Sequence, residues 1–445
     1  MYCIFSCAAL YPVAGDLDTT FNPGGAFPPG IPGIVTTDIS TGNDAATSVV
    51  IQSDGKIVAA GLAFNSGTGF TDFALTRYLP NGALDTSFGG GGIVTTTIGA
   101  GDSFINGLAL QTDGKLVAVG VSYNGLDTDF TLARYLPNGT LDPSFGFGGI
   151  VITDSSLTDD LRAVVIQPDG KIVVGGNSGP PNLGQFTVVR YLTNGTLDVT
   201  FGFGGIMVTP IEATSRVHSL ALQPDGKIIA GGSSIGTTGN FALTRYLSNG
   251  FLDTSFGTGG IVITDISGDD LLTDIALHSN GKIVAVGITN AGTSGDMVVA
   301  RYTATGTLDS SFGPAGTGIV IMDFAGTSDG LLAVTLQPDQ KIVVAGIALL
   351  ENTLQWILLR YTVCGFLDTT FHGTGFVITP ILVDSAFLQL GLTLQSDGKI
   401  VVAGNSGDNS NDVFVVARYL NDSDINRFLV SPIIQAIQAK YCFCL

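Results

Sequence analysis

Seven copies of one unit account for nearly all of the chain between Asp18 and Leu420. The fullest copies read Leu-Asp-x-x-Phe, a Gly-rich step, an Ile-Val strand, Ile-Gln-Pro-Asp-Gly-Lys-Ile-Val-Val and finally Arg-Tyr-Leu. The lysines are Lys56, Lys115, Lys171, Lys227, Lys282, Lys341 and Lys399, spaced 59, 56, 56, 55, 59 and 58 residues apart. A fixed period of this size marks one supersecondary unit stacked on itself. The 445 residues therefore form a single array rather than two or three unrelated domains.

Each unit reads as four short strands. In the first, Thr47 to Gln52 is a strand ended by Ser53-Asp54-Gly55, and Asp-Gly between apolar runs signals a hairpin because both turn positions favour positive φ. Lys56 to Ala60 follows as a buried strand, then Phe73 to Leu79, a Pro80-Asn81-Gly82 turn, and Gly92 to Thr97. Four antiparallel strands per unit in seven units predict an all-β, seven-bladed β-propeller. The composition agrees: 62 glycines suit a turn-rich chain, and of 37 acidic residues only Glu212 and Glu351 are glutamate. Asp is the acid of turns, Glu that of helices.

Closure into a ring is legible in a register. Arg of Arg-Tyr-Leu precedes Asp of Leu-Asp by eight residues in six units: Arg77 and Asp85, Arg134 and Asp142, Arg190 and Asp198, Arg245 and Asp253, Arg301 and Asp309, Arg360 and Asp368. Two partners are left over, Asp18 at the start and Arg418 at the end. A closed ring pairs them and places the strand Gly33 to Ile39 beside Phe414 to Leu420. Because a buried unpaired charge is costly, all seven pairs are read as structural. Phe21, Phe88, Phe145, Phe201, Phe256, Phe312 and Phe371 are expected to fill the gaps between blades.

The segments LDTSFGTGG (252–260), IQPDGKIVV (166–174) and FTLARYLPNGTLD (130–142) resemble the delta-60 repeat, or DUF5122-type β-propeller, across residues 16–420. The resemblance implies a propeller and an exported or cell-surface setting, but no activity and no catalytic residues. Asn280 and Gln340 depart from the turn Asp and Gly, and Met297 and Trp356 from the usual strand Phe.

The expected organisation is a leader over 1–14, the propeller over 15–420 and a tail over 421–445. The leader MYCIFSCAALYPVA is similar to the apolar part of an export signal without its basic start. Cys3, Cys7, Cys442 and Cys444 flank the repeats and Cys364 lies within them, without the spacing of a zinc site. No run of 18 apolar residues marks a transmembrane segment. The net charge of −19 and the scattered basic residues argue against nucleic acid. No G-x-S-x-G, H-E-x-x-H, P-loop or CxxC occurs.

Positions that repeat seven times hold the fold, so recognition is expected where the repeat breaks, on the face of the variable loops. The fourth-to-first loops carry Asp44, Asp102, Asp159, Asp160, Asp269, Asp270, Asp329 and Asp384, with Glu212, Arg216 and His218 in the exceptional blade. The second-to-third loops carry Asp127, Asp129, Asp296, Glu351, Trp356, Asp408 and Asp412. Such carboxylates have the chemistry to hold Ca²⁺ or a basic partner. Without a D-x-D-x-D-G loop they are read as solvated turn residues, and no cofactor is expected. His278 stands alone among inner-strand glutamines and reads as drift between two hydrogen-bonding side chains. Trp356 reads as core. The expected function is a non-catalytic, monomeric binding or scaffold disc, secreted or at the cell surface, that recognises a protein or glycan. Two rivals stand beside it: a channel-mouth enzyme on a polar or glycan substrate using Glu212 or His218 as acid–base, and a purely structural surface protein.

Overall fold

The computed structural model describes residues 12–25, 30–155, 158–180, 182–290, 294–324, 328–351, 353–382, 389–407 and 411–422. Most of the leader and tail, Asp384, Asp408 and the terminal cysteines lie outside the described residues.

After β1 (Ile34–Thr37), the first blade is β2 (Asp44–Ile51), β3 (Ile57–Asn65), β4 (Phe70–Tyr78) and β5 (Ile93–Thr96), each antiparallel to the next. The same four-stranded order recurs through six complete blades. The seventh sheet is Gly391–Leu394, Ile400–Ser406 and Val413–Tyr419, completed on its outer edge by β1. Ile34 faces Ala417 and Thr37 faces Phe414, so the ring closes with the strand expected to close it.

Closure extends beyond that strand. In blade 1, Gly82 N–H donates to the Leu79 carbonyl and Leu79 N–H to that of Ala83, forming the Pro-Asn-Gly turn. In blade 7 the equivalent bonds run from Gly15 N–H to the Leu420 carbonyl and from Leu420 N–H to that of Asp16. The two ends of the described chain together build the turn that every other blade makes from one continuous segment.

All seven Arg–Asp pairs form, with Nε–Oδ2 distances of 2.7–2.9 Å. The terminal pair, Arg418 to Asp18 at 2.9 Å, matches the rest. Each Asp also meets the blade's repeat lysine, as Asp85 does Lys56 at 3.2 Å. Each guanidinium lies 4.4–4.9 Å from the Leu-Asp-x-x-Phe ring, itself fully buried. Six of the arginines also donate to a backbone carbonyl in the next blade's turn. Arg360 instead grips both carboxylate oxygens of Asp422 at 2.8 and 3.0 Å. Burial alone would raise these aspartates. Hydrogen bonds from the neighbouring Ser or Thr, with Lys and Arg beside them, outweigh it and bring Asp198 and Asp368 to about 2.

The inner strands ring a central channel, and in six of them the register slips by one residue at a β-bulge. The bulged residues are Thr47, Asn106, Arg162, His218, Thr273 and Leu332. Facing each bulge on the second strand is a glycine: Gly61, Gly120, Gly176, Gly232, Gly287 or Gly346. A Cβ there would lie only 1.9–2.1 Å from a carbonyl oxygen of the inner strand, so no side chain fits and the glycine admits the bulge.

Candidate functional site

In six blades the bulge brings one side chain into the channel wall, nearer the variable-loop end of the inner strand. The cavity there, of about 340 Å³, is lined by Thr47, Asn106, Arg162, His218, Thr273, Leu332 and Leu390, among others. Three of these stitch blade to blade. Thr47 Oγ1 donates to the Ile105 carbonyl at 2.6 Å, Asn106 Nδ2 to that of Leu161 at 2.8 Å, and Thr273 Oγ1 to that of Leu331 at 2.8 Å. Leu332 and Leu390 make the wall apolar at blades 6 and 7. Arg162 and His218 do neither, and they are the polar groups that the collar leaves for another task.

Arg162 Nε donates to Asp160 Oδ2 at 3.0 Å, and its NH2 group lies 2.9 Å from the same oxygen. Arg216 Nε donates to Asn177 Oδ1 at 2.9 Å and lies 3.6 Å from Asp160. His218 forms no hydrogen bond to the described residues. Its ring is crowded by protein yet open to the cavity, and burial, Arg162 and Arg216 together hold its pKa well below the ordinary histidine value. The imidazole is therefore neutral near pH 7. Further along the wall, Asp274 accepts from Ser219 Oγ at 2.7 Å, Val334 N–H at 2.8 Å and Ile275 N–H at 2.8 Å. Burial outweighs these bonds and pushes its carboxyl up to about 6.

Arg162 also borders a second cavity of about 350 Å³ on the variable face, with Thr128, Asp160, Asn177, Thr214 and Arg216. The two cavities thus meet at Arg162. Of the four Lys and Arg outside the repeat positions (Arg162, Arg216, Arg427 and Lys440), two converge here.

The structure separates the other expected residues. Glu212 is exposed at φ +55° against Gly236 and does not line the channel, so it is not brought to His218. Asp269 accepts from Gly239 N–H at 2.9 Å, and Glu351 is exposed in a hairpin turn at φ +50°. His278 is not on the variable face at all. It sits at the constant-turn end of its strand, 4% exposed, with Nδ1 3.2 Å from Gln340 Oε1. Two departures from the repeat in adjacent blades thus meet: the Gln that replaced the turn glycine takes φ +68° and partners the His that replaced a glutamine. Trp356 is core, 2% exposed, packed with Leu390 and Val402 between blades 6 and 7.

The solvated reading of the loop aspartates fails for Asp44, Asp159, Asp270 and Asp329, each at most 3% exposed. They stand two residues before the last regular pair ahead of the bulge and tie down the preceding loop. Asp44 accepts from Ile39 and Ser40 N–H, Asp159 from Ser155, Asp270 from Ile266 and Ser267, and Asp329 from Phe324. A carboxylate reaching back to loop N–H groups is common in turns, but the burial followed only from the assembled blades.

A family model described as "Domain of unknown function (DUF5122) beta-propeller" matches residues 52–88, 111–145, 167–201, 223–256, 278–312, 337–371 and 395–427. No curated protein matches the chain. Among solved structures, a protein of unknown function from Dyadobacter fermentans is 12% identical, with 88% of this chain and 100% of that one covered at a TM-score of 0.46. Chaetomium thermophilum Sqt1, bound to the N-terminus of a ribosomal protein, is 14% identical over 85% and 98% at 0.44. The polysaccharide lyase Uly1 is 11% identical over 85% and 90% at 0.46. Likenesses this distant carry no argument about activity.

Proposed function

The chain belongs to the DUF5122 β-propeller family, and from that premise we propose that it is a binding module which recognises a glycan carrying an acidic substituent. Recognition occurs at the variable-face mouth of the channel between blades 2 and 4. The observation that carries this reading is the convergence of Arg162 and Arg216, two of the few basic residues outside the repeat, on one polar cavity. Guanidinium groups bind carboxylate and sulfate in paired hydrogen bonds, and Asn177, Thr128 and Thr214 supply neutral partners for sugar hydroxyls. A net charge of −19 repels dense polyanions over long range, which favours a lightly charged glycan. A cavity of about 350 Å³ that sets guanidinium, amide and hydroxyl groups beside apolar wall suits a few sugar units better than the broad, apolar-centred patch of a stable protein interface. Such a ligand fits an exported or surface-attached disc.

An array of acidic and neutral glycans probed with the purified protein tests the reading. Binding of uronate- or sulfate-bearing glycans, weakened at least about tenfold in R162A and R216A as expected for lost charge-assisted bonds, supports it. Absence of glycan binding, or binding indifferent to both substitutions, overturns it.

A second reading is favoured by one specific observation. A neutral histidine and a carboxyl titrating at about 6 line the same channel wall as Ser219, an arrangement suited to proton transfer near neutral pH. Prolonged incubation with any bound glycan, followed by product analysis in wild type, H218Q and D274N, tests it. Unchanged glycan with wild type eliminates catalysis.

A further inference from the structure

We propose that Asp129, Asp154 and Asp159 form a binding site for a Ca²⁺ ion between blades 2 and 3. Asp129 lies in the third strand of blade 2 (Thr128–Tyr135), Asp154 follows its outer strand (Ile150–Thr153), and Asp159 lies in the inner strand of blade 3 (Thr158–Ile166). The blade interface brings one carboxylate oxygen of each within 4.8 Å of the others.

Proximity of acids alone would not make a site, but the hydrogen bonding of Asp129 adds an independent observation. Asn124 Nδ2 donates to Asp129 Oδ2 at 3.0 Å, and no donor reaches Oδ1. That oxygen is buried, in a residue only 4% exposed. A buried carboxylate oxygen without a donor is costly, and more so beside like charges. Asp127 and the two neighbouring aspartates each add repulsion at Asp129, and a divalent cation reverses the sign of every one of these contacts.

The equivalent interface between blades 1 and 2 shows what the site becomes without three acids. There the positions hold Asp72, Thr97 and Ser103. Thr97 Oγ1 donates to Asp72 Oδ2 at 2.8 Å, and Asn65 Nδ2 donates to the same oxygen at 2.7 Å. One carboxylate with two donors needs no cation. Replacement of the Thr and Ser by Asp154 and Asp159 removes a donor and adds two charges. The three positions are acidic again at Asp296, Asp323 and Asp329 between blades 5 and 6, so binding is best read as a count of equivalents.

Carboxylate oxygens are the ligands of hard divalent cations, and three of them gathered at a blade interface suit the flexible coordination of Ca²⁺ better than the near-ideal octahedron that Mg²⁺ demands. Asp154 is exposed, so water can complete the coordination from that side.

Calorimetric titration of the chelator-treated full chain with CaCl₂ tests the proposal, with thermal unfolding alongside. Saturable binding and a higher Tm with Ca²⁺ than with Mg²⁺ are expected. D129N and D154N should each lose one equivalent, and D72N none. Because Asp154 is exposed, D154N keeps the test readable if D129N folds poorly. No saturable Ca²⁺ binding at millimolar concentration, or an isotherm unchanged in both D129N and D154N, overturns the site.

Discussion

On the face of the constant turns, Asp85 and its six counterparts each meet an arginine and a lysine. On the opposite face, Asp129, Asp154 and Asp159 meet one another. Both sets of carboxylates are held by blade packing, yet Asp85 is pulled below the ordinary carboxylate range by its cations and donors while Asp129 is pushed above it by burial. Asp198 and Asp368 fall to about 2, while Asp329, buried and beside Asp323 and Asp296, rises to about 7. Burial pushes carboxyls up on both faces, and on the constant face the cations and donors supplied outweigh it. The constant face carries its full complement seven times over. The variable face carries it in some blades only, and there the molecule has chemistry left unspent.

The largest expected effect breaks the constant side of this contrast. Arg418→Ala should destabilise the protein by up to about 3–5 kcal/mol, because the buried Asp18 carboxylate loses its arginine and keeps only Lys399 and Thr20. Arg245→Ala should cost a similar amount. Denaturant unfolding of both variants checks this, and a negligible effect at Arg418 alone would mean that the ring is not closed in solution.

The two sets of aspartates also separate by pH. For the constant-face set the folded pKa lies below the unfolded value, so its contribution is present above about pH 4 and is lost as pH falls towards about 2. For Asp274 and Asp329 the folded values, about 6 and about 7, lie above it. Their contribution is complete below about pH 4 and is lost as pH rises through those values, on the order of a few kcal/mol in all. Calcium-free Tm measured from pH 4 to 8 should therefore decline, and D274N and D329N should each flatten the decline. A curve unaltered by either variant would contradict the proposed burial of these carboxyls.

Thr97→Asp would turn the self-satisfied interface of blades 1 and 2 towards its acidic neighbour. It replaces a donor to Asp72 by a like charge, at an expected cost of about 1–2 kcal/mol without added cation. A smaller effect is expected for the His278–Gln340 contact. H278Q and Q340G, measured singly and together, should show a coupling of about 0.5–1 kcal/mol. Strict additivity would indicate that the two departures are unrelated.

Much of the fold was legible in the chain. The orphans Asp18 and Arg418 gave closure because a fixed eight-residue offset leaves one partner over at each end. The bulges were not recognised, although each left a mark: the glycine five residues after every repeat lysine, such as Gly61 after Lys56. Arg162 could have been found by the same subtraction that singled out Arg216. Asp274 was hidden because its neighbour in sequence says nothing about the wall it lines. Glu212 and His218, each an acid–base candidate and six residues apart, part company because the chain between them passes from an exposed loop into the channel.

By itself, the sequence determined the number of blades, their strand order, the Arg–Asp ring and its closure. These follow from local periodicity and from pairings repeated at a fixed offset. Only the tertiary structure decided which side chains reach the channel, which loop aspartates are buried and which carboxylates meet. Those outcomes depend on contacts between blades about 55–60 residues apart in the chain, set by the way each bulged inner strand packs against the next.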